Sequence, residues 1–494
     1  MVPEKLTLYL GLAAVVTGLA GVIGHSVAFD TQISPVLNTF VSSWYAGFLF
    51  VCGVFLLYLR RKSSSSNAFY YWSELAFLVW LMCCSLVSFV CYGLVRDWSA
   101  FAWILVTFIP LSACLYIRWL NPKKYAALGR KCDIFAGVIF AVQLVVMFIA
   151  ALLAAGGISS AFSASFPAPG RFISVYFDGA NRNASLQVYC IGTTNSSQAT
   201  IFLVSSSAHG IVDFYGLQFY LNSINGTDRR VCSFDRLGFG WSQDAFADQF
   251  SNYQFVYNLF LATGEPSPWN VVGWGEGGSI LAYLASQYSS SIKSVTFLEA
   301  YPPGVEFDAY GYMNGLDQTA VTNYRNDQLH SRLGIARLIL FLVIPWGLTS
   351  LFFPMSPADP DFYPSSRWPE YRVQLWKSKS WISQMQGIQA MQTRKDKDDP
   401  VFIYAPLPNV PVLGVYCNVT TCFNRYGNLT GQACIDKIKK DAYSNDQKFS
   451  MIQALSNNVT IVTNKDVDCG LDLPLKRPRL TAESILGLYS KVNA

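Results

Sequence analysis

The chain has 494 residues, enough for two or three domains, and it is 52% hydrophobic and only 14% charged. Soluble domains usually carry about 25% charged residues, so this composition indicates a membrane protein. The formal net charge is +5 on this long chain. Such a small excess excludes the strongly basic surface on which nucleic-acid binding depends.

The first third of the chain contains five apolar stretches, each long enough for a helix that crosses the hydrocarbon core, which takes about 20 residues. We expect an all-α transmembrane bundle over residues 1–160. The first stretch lacks a small-residue cleavage site, so we interpret it as a helix rather than a signal peptide. Ionisable residues are nearly absent from the span centres, which favours an anchor over a lipid or ion pathway. The five predicted spans are Leu6–Val27, Leu37–Leu59, Tyr70–Val95, Phe101–Leu120 and Ile134–Ile158.

Basic residues set the predicted orientation, because cytosolic loops carry an excess of Lys and Arg. The loops after the second and fourth stretches are the basic ones, so the N-terminus faces the cytosol. The fifth span then delivers residues 165–494 to the extracellular or lumenal side, at the plasma membrane or in the secretory pathway. The basic residues are Arg60, Arg61, Lys62, Arg118, Lys123, Lys124, Arg130 and Lys131.

Asparagine sequons agree with this orientation. All six Asn-x-Ser/Thr acceptor sequences lie in the second part of the chain. N-glycosylation requires an exoplasmic location, which is where the predicted orientation places this part. The predicted acceptors are Asn183, Asn195, Asn225, Asn418, Asn428 and Asn458.

After Pro167 the pattern changes to short β-branched runs that alternate with helical stretches, which is typical of a mostly parallel sheet. The first two runs predict a hairpin across the polar segment 178–183, and a helix near Ala482–Lys491 closes the chain. The predicted strands are Phe172–Phe177, Ser185–Cys190, Thr200–Ser205, Arg230–Asp235, Trp269–Trp274, Ser294–Leu298, Val410–Tyr416 and Val459–Thr463.

Four motifs in this region together resemble the α/β-hydrolase superfamily. The resemblance covers about Phe172 to the C-terminus, and it implies an α/β-hydrolase-like sheet with a lid insertion at about 301–400. The motifs are Ser207-Ala208-His209-Gly210, similar to the oxyanion loop; Asp235-Arg236-Leu237-Gly238-Phe239-Gly240, similar to the turn after the fourth strand; Gly273-Trp274-Gly275-Glu276-Gly277, similar to the nucleophile elbow; and the tail from Asp468 to Ile485, similar to the segment around the family's catalytic His.

The residues that would carry catalysis are missing from these motifs. The elbow pattern is Gly-x-Ser-x-Gly, and here Gly275 takes the place of the serine nucleophile. The chain has three histidines and none of them follows Leu333, so the stretch that resembles the family's His segment has no imidazole. After the strand that ends at Tyr416, no carboxylate occurs before Asp436. All three roles of the triad therefore lack a residue at the matching position.

Substitute catalytic groups are few. Glu276 is interpreted as an exposed carboxylate at a helix N-terminus, and His209 as a structural loop residue, with a catalytic role for either as the alternative. Asp235, Arg236, Gly238 and Gly240 are expected to fix the turn. We find neither a zinc-type Cys/His spacing nor a Lys-Ser/Thr phosphate loop, so no metal and no cofactor are expected.

The lid insertion contains the apolar stretch Leu333–Phe353, which we interpret as a lid helix over the pocket or on the membrane surface rather than a sixth span. Six cysteines lie in the C-terminal half. The resemblance implies that the second strand neighbours the fourth and hence that Cys190 pairs with Cys232. Three pairings remain open for the others, which are Cys417, Cys422, Cys434 and Cys469.

Three functions follow as hypotheses. The first is a non-catalytic pseudo-hydrolase that acts as a structural or interaction subunit of a membrane or cell-surface assembly, with the lipid bilayer and other protein subunits as partners. The second is a lipid- or small-molecule-binding module that uses the vestigial pocket. The third is a hydrolase with non-standard catalytic residues.

Overall fold

In the computed structural model the chain divides into two compact units. One consists of Met1–Pro167 with Leu338–Pro354, and the other of Ala168–Arg337 with Met355–Ala494. The structure describes residues 4–31, 40–61, 68–94, 98–120, 133–164, 166–177, 181–194, 198–206, 209–226, 228–245, 254–300, 311, 314–345, 378–393, 410–417, 423–424, 427–428, isolated positions between 432 and 453, 455–464 and 473–492.

The N-terminal unit is helical. Among its described residues, two helical segments are long and apolar enough to cross a membrane, Glu74–Tyr92 and Ala141–Ile158, and three other apolar segments are shorter. The prediction of five spans therefore stays a prediction. The helices are α1 Glu4–Thr31, α2 Phe40–Arg61, α3 Ala68–Leu94, α4 Trp98–Leu120 and α5 Asp133–Ala164.

Small residues bring α1 and α2 into close contact. A β-carbon added at Gly18 would lie 2.5 Å from the backbone nitrogen of Phe50, and one at Gly53 would lie 2.7 Å from the nitrogen of Val15. The two backbones therefore approach too closely for any larger residue at these positions. Such contacts are typical of apolar helix pairs that associate through van der Waals packing.

The C-terminal unit is built on an eight-stranded mixed sheet with the order β1-β2-β4-β3-β5-β6-β7-β10. β1 and β2 form an antiparallel hairpin, β2 pairs antiparallel with β4, and the strands β4, β3, β5, β6, β7 and β10 run parallel. The mostly parallel sheet predicted from the sequence is confirmed. The strands are β1 Arg171–Phe177, β2 Arg182–Ile191, β3 Ile201–Val204, β4 Val231–Phe234, β5 Trp269–Trp274, β6 Ile292–Leu298, β7 Val412–Cys417 and β10 Val459–Asn464, beside a small ladder of β8 Phe423–Asn424 and β9 Gly427–Asn428.

Helices cover both faces of this sheet, as burial of a parallel sheet requires. One apolar core contains Phe202, Phe260 and Trp269, whose rings are in contact. A second core on the other face contains Phe214 and Tyr489. The described helices are α6 Ile211–Ser223, α7 Gln254–Thr263, α8 Glu276–Gln287, α9 Gln318–Leu338, α10 Ser378–Thr393, α11 Leu473–Lys476 and α12 Pro478–Val492, with a π-helical segment at Ile339–Val343.

Two features of the C-terminal half differ from, or extend, the sequence analysis. Leu338–Pro354 groups with the N-terminal unit, and the interpretation of Leu333–Phe353 as a lid helix over the pocket or on the membrane surface stays a prediction. Cys190 and Cys232 lie opposite each other on β2 and β4 and form a disulfide. The other four cysteines of this half have no described side chains.

Candidate functional site

The site lies at the carboxyl ends of β3, β4, β5 and β6, where parallel strands direct the following loops to one edge of the sheet. At its centre, Gly275 joins β5 to α8 with φ 54° and ψ −120°. This conformation is sterically costly for a residue with a side chain. The amide of Gly275 donates to the carbonyl of Leu298 at 3.0 Å, and its own carbonyl accepts from Gly278 at 3.0 Å.

The glycines beside Gly275 are required by packing. A β-carbon at Gly277 would lie 2.2 Å from the carbonyl oxygen of Val204, and one at Gly273 would lie 2.7 Å from the backbone of Gly277. The start of α8 therefore contacts the end of β3 backbone to backbone. The sharp turn between strand and helix is present although Gly275 has no reactive group.

A serine from the neighbouring loop faces this turn. A β-carbon placed on Gly275 would lie 2.9 Å from Oγ of Ser206. Ser206 follows β3 and is half-buried. Its hydroxyl thus lies next to the space that a side chain at position 275 would occupy.

His209 belongs to the same loop and is held by three contacts. Its backbone amide donates to the carbonyl of Ser206 at 3.3 Å, and its carbonyl accepts from the hydroxyl of Ser205 at 2.8 Å. The imidazole packs on Trp274 with ring centroids 4.2 Å apart. Nδ1 lies 3.2 Å from Oδ1 of Asp213, but the angles are not those of a hydrogen bond. Residues 207 and 208 of the predicted oxyanion motif lie outside the described residues.

Asp213 was not singled out in the sequence, although it follows His209 by four residues in the first turn of α6. It is buried, and Oδ2 accepts from the amide of Gly210 at 2.7 Å. This is a capping arrangement, in which a carboxylate in the first turn satisfies an amide that precedes the helix. The carboxylate therefore both caps α6 and lies beside the imidazole.

Asp235 joins the loop after β3 to the turn after β4. Its side chain is buried, Oδ1 accepts from the amide of Ile211 at 2.8 Å, and Oδ2 accepts from the amide of Trp241 at 2.9 Å. The carboxylate leaves no space for larger residues nearby, since a β-carbon at Gly240 would lie 1.9 Å from Oδ2 and one at Gly210 would lie 2.2 Å from Oδ1. The carboxylate therefore bonds to the loop after β3 and to the turn after β4, whereas the sequence analysis expected it to fix the turn alone.

Arg236 pairs with the carboxylate next to the elbow. Its Nη1 donates to Oε2 of Glu276 at 3.0 Å, and the two side chains are 4% and 20% exposed. The sequence analysis expected Glu276 to be an exposed carboxylate. It is instead mostly buried, because the turn after β4 carries the guanidinium of Arg236 to the N-terminus of α8.

Helix α10 packs on the same turn. The ammonium of Lys379 donates to the carbonyl of Ser242 at 2.6 Å, and the hydroxyl of Ser383 donates to the carbonyl of Leu237 at 3.1 Å. Burial lowers the pKa of Lys379, while the carboxylates of Asp244 and Asp235 act in the opposite sense. Only this helix of the predicted lid region 301–400, together with residues 311 and 314–345, is among the described residues.

The sequence analysis also missed Glu299, which follows β6 directly. Glu299 is buried, has φ 47°, and its amide donates to the carbonyl of Val415 at 3.1 Å. Burial and then the charge of Glu299 raise the pKa of Tyr416. Glu299 could have been found from the sequence as a carboxylate directly after an apolar strand. Functional sites of parallel sheets form at the edge where such strands end.

The remaining predicted positions are only partly described. Residues 465–472, where the family's catalytic His would lie, are outside the described residues, and so is Asn418. Asn183 and Asn458 are exposed acceptors, Asn195 is outside the described residues, and the side chains of Asn225 and Asn428 are not described. The one described group of potential metal ligands is Cys190, Cys232 and Glu265, and it contains the disulfide, whose sulfurs are not thiolates.

Comparison with known proteins supports the fold. Residues 201–337 match the sequence model of the α/β hydrolase fold family. No curated protein matches the chain significantly.

The chain is also similar to several solved structures. They include a thermophilic esterase from Thermogutta terrifontis (14% identity, 66% of this chain and 100% of that chain, TM-score 0.41) and an esterase from Exiguobacterium antarcticum (16%, 66% and 100%, TM-score 0.40). A variant of an epoxide hydrolase from Bacillus megaterium is also similar (13%, 65% and 100%, TM-score 0.37). The family match and the observed strand order together give the C-terminal unit an α/β-hydrolase fold.

Proposed function

We propose that the C-terminal unit is a pseudo-hydrolase, a non-catalytic α/β-hydrolase-like unit that serves as a structural or interaction subunit on a multi-pass membrane anchor. The observation that carries this proposal is Gly275. It occupies the positive-φ position between β5 and α8 from which this fold presents its nucleophile, and it has no side chain to present.

The neighbouring groups support the loss of chemistry. Glu276 is the carboxylate closest to the elbow in the sequence, and it is paired with Arg236. The guanidinium stabilises the carboxylate and holds it against the turn after β4. The chain has no histidine after Leu333 to serve as the C-terminal base. Acyl transfer requires a nucleophile with an adjacent base, and the standard positions supply neither.

The membrane anchor is supported by exposed apolar side chains. Leu12, Val16, Leu19 and Ile23 recur at helical spacing along α1 and are each at least 45% exposed within the described residues. Such a continuous apolar stripe is unfavourable in water and is what lipid-facing helices present. On α5, Val142, Val145 and Phe148 form a second stripe that is more than half exposed.

We therefore propose the five-span topology with a cytosolic N-terminus and a lumenal or extracellular C-terminal unit. The two long apolar segments, Glu74–Tyr92 and Ala141–Ile158, support two of these spans. The basic loops that follow the second and fourth helices support the orientation. Other protein subunits would be the partners of such a scaffold, and a lipid ligand in the vestigial pocket is the alternative.

The experiment is an activity assay on the full chain purified in lipid nanodiscs. Hydrolysis of p-nitrophenyl acetate, butyrate and palmitate is measured beside the Ser206→Ala and Glu276→Gln variants. The proposal predicts the same rate as empty nanodiscs for all three proteins. Turnover by the wild type that either substitution abolishes would contradict it.

A second candidate function is hydrolysis through a displaced nucleophile. It is favoured by the approach of Ser206 Oγ to the elbow and by the 3.2 Å contact between His209 Nδ1 and Asp213 Oδ1. In this arrangement His209 would accept the proton of Ser206, and Asp213 would orient the imidazole. An activity lost equally in Ser206→Ala and His209→Gln would support this candidate.

A further inference from the structure

We propose that Asn183 carries an N-linked glycan and that the first sugar of this glycan packs on the exposed ring of Tyr176. The inference rests on the lumenal orientation proposed above, because the acceptor must meet the glycosylation machinery there. Asn183-Ala184-Ser185 is a complete sequon, and Asn183 lies near the start of β2 with an exposed side chain.

Strand register places the two residues together. In the antiparallel hairpin, Asn183 is the direct partner of Tyr176, and Ser185 is the partner of Ser174. Directly opposed residues project from the same face of a sheet with β-carbons about 4.5–5.5 Å apart. A sugar attached to the amide nitrogen of Asn183 therefore extends from a point beside the Tyr176 ring.

The face that they share is exposed at this end of the hairpin, whereas the other face is packed. The alternate residues of β1, Ile173, Val175 and Phe177, are buried in the core under α7. Tyr176 is 43% exposed. Its hydroxyl hydrogen-bonds the side-chain oxygen of Asn181, which fixes the direction of the ring.

An aromatic ring in this position suits a sugar. The π-face carries partial negative charge and attracts C–H groups, which a pyranose ring presents along one side. β1 is also an end strand of the described eight-stranded sheet, and an edge strand can pair with another chain. A glycan on the neighbouring strand would cover part of this edge and hinder edge-to-edge association.

The covalent step uses a lipid-pyrophosphate-linked oligosaccharide and the cell's oligosaccharyltransferase. The carboxamide nitrogen of Asn183 forms a bond to the anomeric carbon of the donor, and the bond from that carbon to the pyrophosphate oxygen breaks. The nitrogen loses one proton, and the lipid pyrophosphate leaves with the electron pair of the broken bond. No oxidant or reductant is involved.

Asn458 offers an internal comparison. It is an exposed acceptor that directly precedes β10, whose register with β7 begins only at Val459 and Val412, so Asn458 has no directly opposed residue in that ladder. The two sequons therefore differ in whether an aromatic residue lies directly opposite the acceptor Asn on the neighbouring strand. Both would be modified in the proposed orientation, and only Asn183 has a ring directly opposite.

The test begins with the full chain expressed in a glycosylating eukaryotic host. Enzymatic release of N-glycans in ¹⁸O-water marks each occupied Asn by a mass shift. We expect Asn183 to be occupied, and Asn183→Gln and Ser185→Ala each to lose one glycan. Asn183 unoccupied while Asn458 is occupied would overturn this inference and leave the orientation intact. No occupied sequon at all would overturn the orientation, and this inference with it.

The packing on Tyr176 is tested by thermal unfolding before and after glycan release. We expect release to lower the Tm of the C-terminal unit by about 2 °C in the wild type and in Tyr176→Phe, which keeps the ring. Tyr176→Ala should lose this shift, whereas the matched variant Phe172→Ala, also exposed on β1, should keep it. An equal shift in Tyr176→Ala and the wild type would overturn the packing.

Discussion

The hydroxyl oxygen of Ser206 lies 2.9 Å from the point that a β-carbon would occupy at Gly275. A side chain at this position would therefore destabilise the fold for two reasons. The backbone has a positive φ of 54°, and the β-carbon would be in close contact with Ser206. We predict that Gly275→Ala lowers the free energy of unfolding by about 2–3 kcal/mol, because a residue held in a sparsely populated conformation costs about 1–3 kcal/mol.

The matched control for this prediction is Gly264→Ala. Gly264 also has a positive φ, 76°, but nothing lies within 4 Å of a β-carbon added there. Its substitution measures the conformational cost alone and should be milder, about 1 kcal/mol. Urea denaturation of both variants checks the comparison, and equal losses would show that Ser206 does not crowd the elbow.

The ion pair between Arg236 and Glu276 supplies a second prediction. Arg236→Met removes the partner of a carboxylate that is only 20% exposed, and we expect a loss of about 2 kcal/mol in the free energy of unfolding. Glu276→Gln in the Arg236→Met background should recover part of this loss, because the amide carries no charge that needs the guanidinium. A double-mutant cycle measures the coupling, and additive effects would show that the pair contributes nothing.

The disulfide between Cys190 and Cys232 joins residues 42 positions apart. In the chain-entropy account, a loop of this length raises the free energy of unfolding by about 4 kcal/mol. We predict that the double variant Cys190→Ala/Cys232→Ala has a free energy of unfolding that is lower by this amount. Its urea denaturation midpoint should therefore lie at a lower urea concentration than that of the wild type. A midpoint that the double substitution leaves unchanged would argue against the bond.

The buried phenol of Tyr489 should make the protein less stable as the pH rises into the alkaline range. Burial raises the pKa of Tyr489 to about 12, although the hydroxyls of Thr296 and Ser294 and the charge of Arg229 act in the opposite sense. Between pH 10 and 12 the unfolded state loses the phenolic proton that the folded state keeps. The stability contributed by this group is therefore complete below pH 10 and falls as the pH rises to 12.

We expect Tyr489→Phe to reduce the slope of the unfolding free energy between pH 10 and 12, as measured by urea denaturation at several pH values. Identical slopes in Tyr489→Phe and the wild type would contradict this account of the buried phenol.

The strands could be read from the sequence because each is a short β-branched or aromatic run between turn residues. The predicted Trp269–Trp274 has the observed bounds, and Ser294–Leu298 falls two residues short of the observed start at Ile292. The closing helix begins earlier than predicted, at Pro478, because proline is well accommodated in the first turn of a helix. Local pattern thus determines the existence of these elements better than their ends.

The arrangement of the site could be predicted from the sequence less well than the strands. The glycine at position 275 is evident in the motif, but the pairing of Arg236 with Glu276 joins residues 40 positions apart and depends on the order of β4, β3 and β5. Asp213 and Glu299 belong to no motif, and their burial follows from loops that only the folded sheet brings together. Charged residues are assigned to the surface by default, so buried carboxylates are the ones that such reasoning misses.

The most direct test of the pseudo-hydrolase proposal is covalent labelling with a fluorophosphonate probe, which reacts with activated serine side chains. The full chain in nanodiscs is incubated with the probe beside Gly275→Ser and Ser206→Ala, and intact mass is measured. The proposal predicts an unchanged mass for all three proteins, since a serine at position 275 would still lack the C-terminal imidazole. A stoichiometric adduct on the wild type that maps to Ser206 and disappears in Ser206→Ala would contradict it.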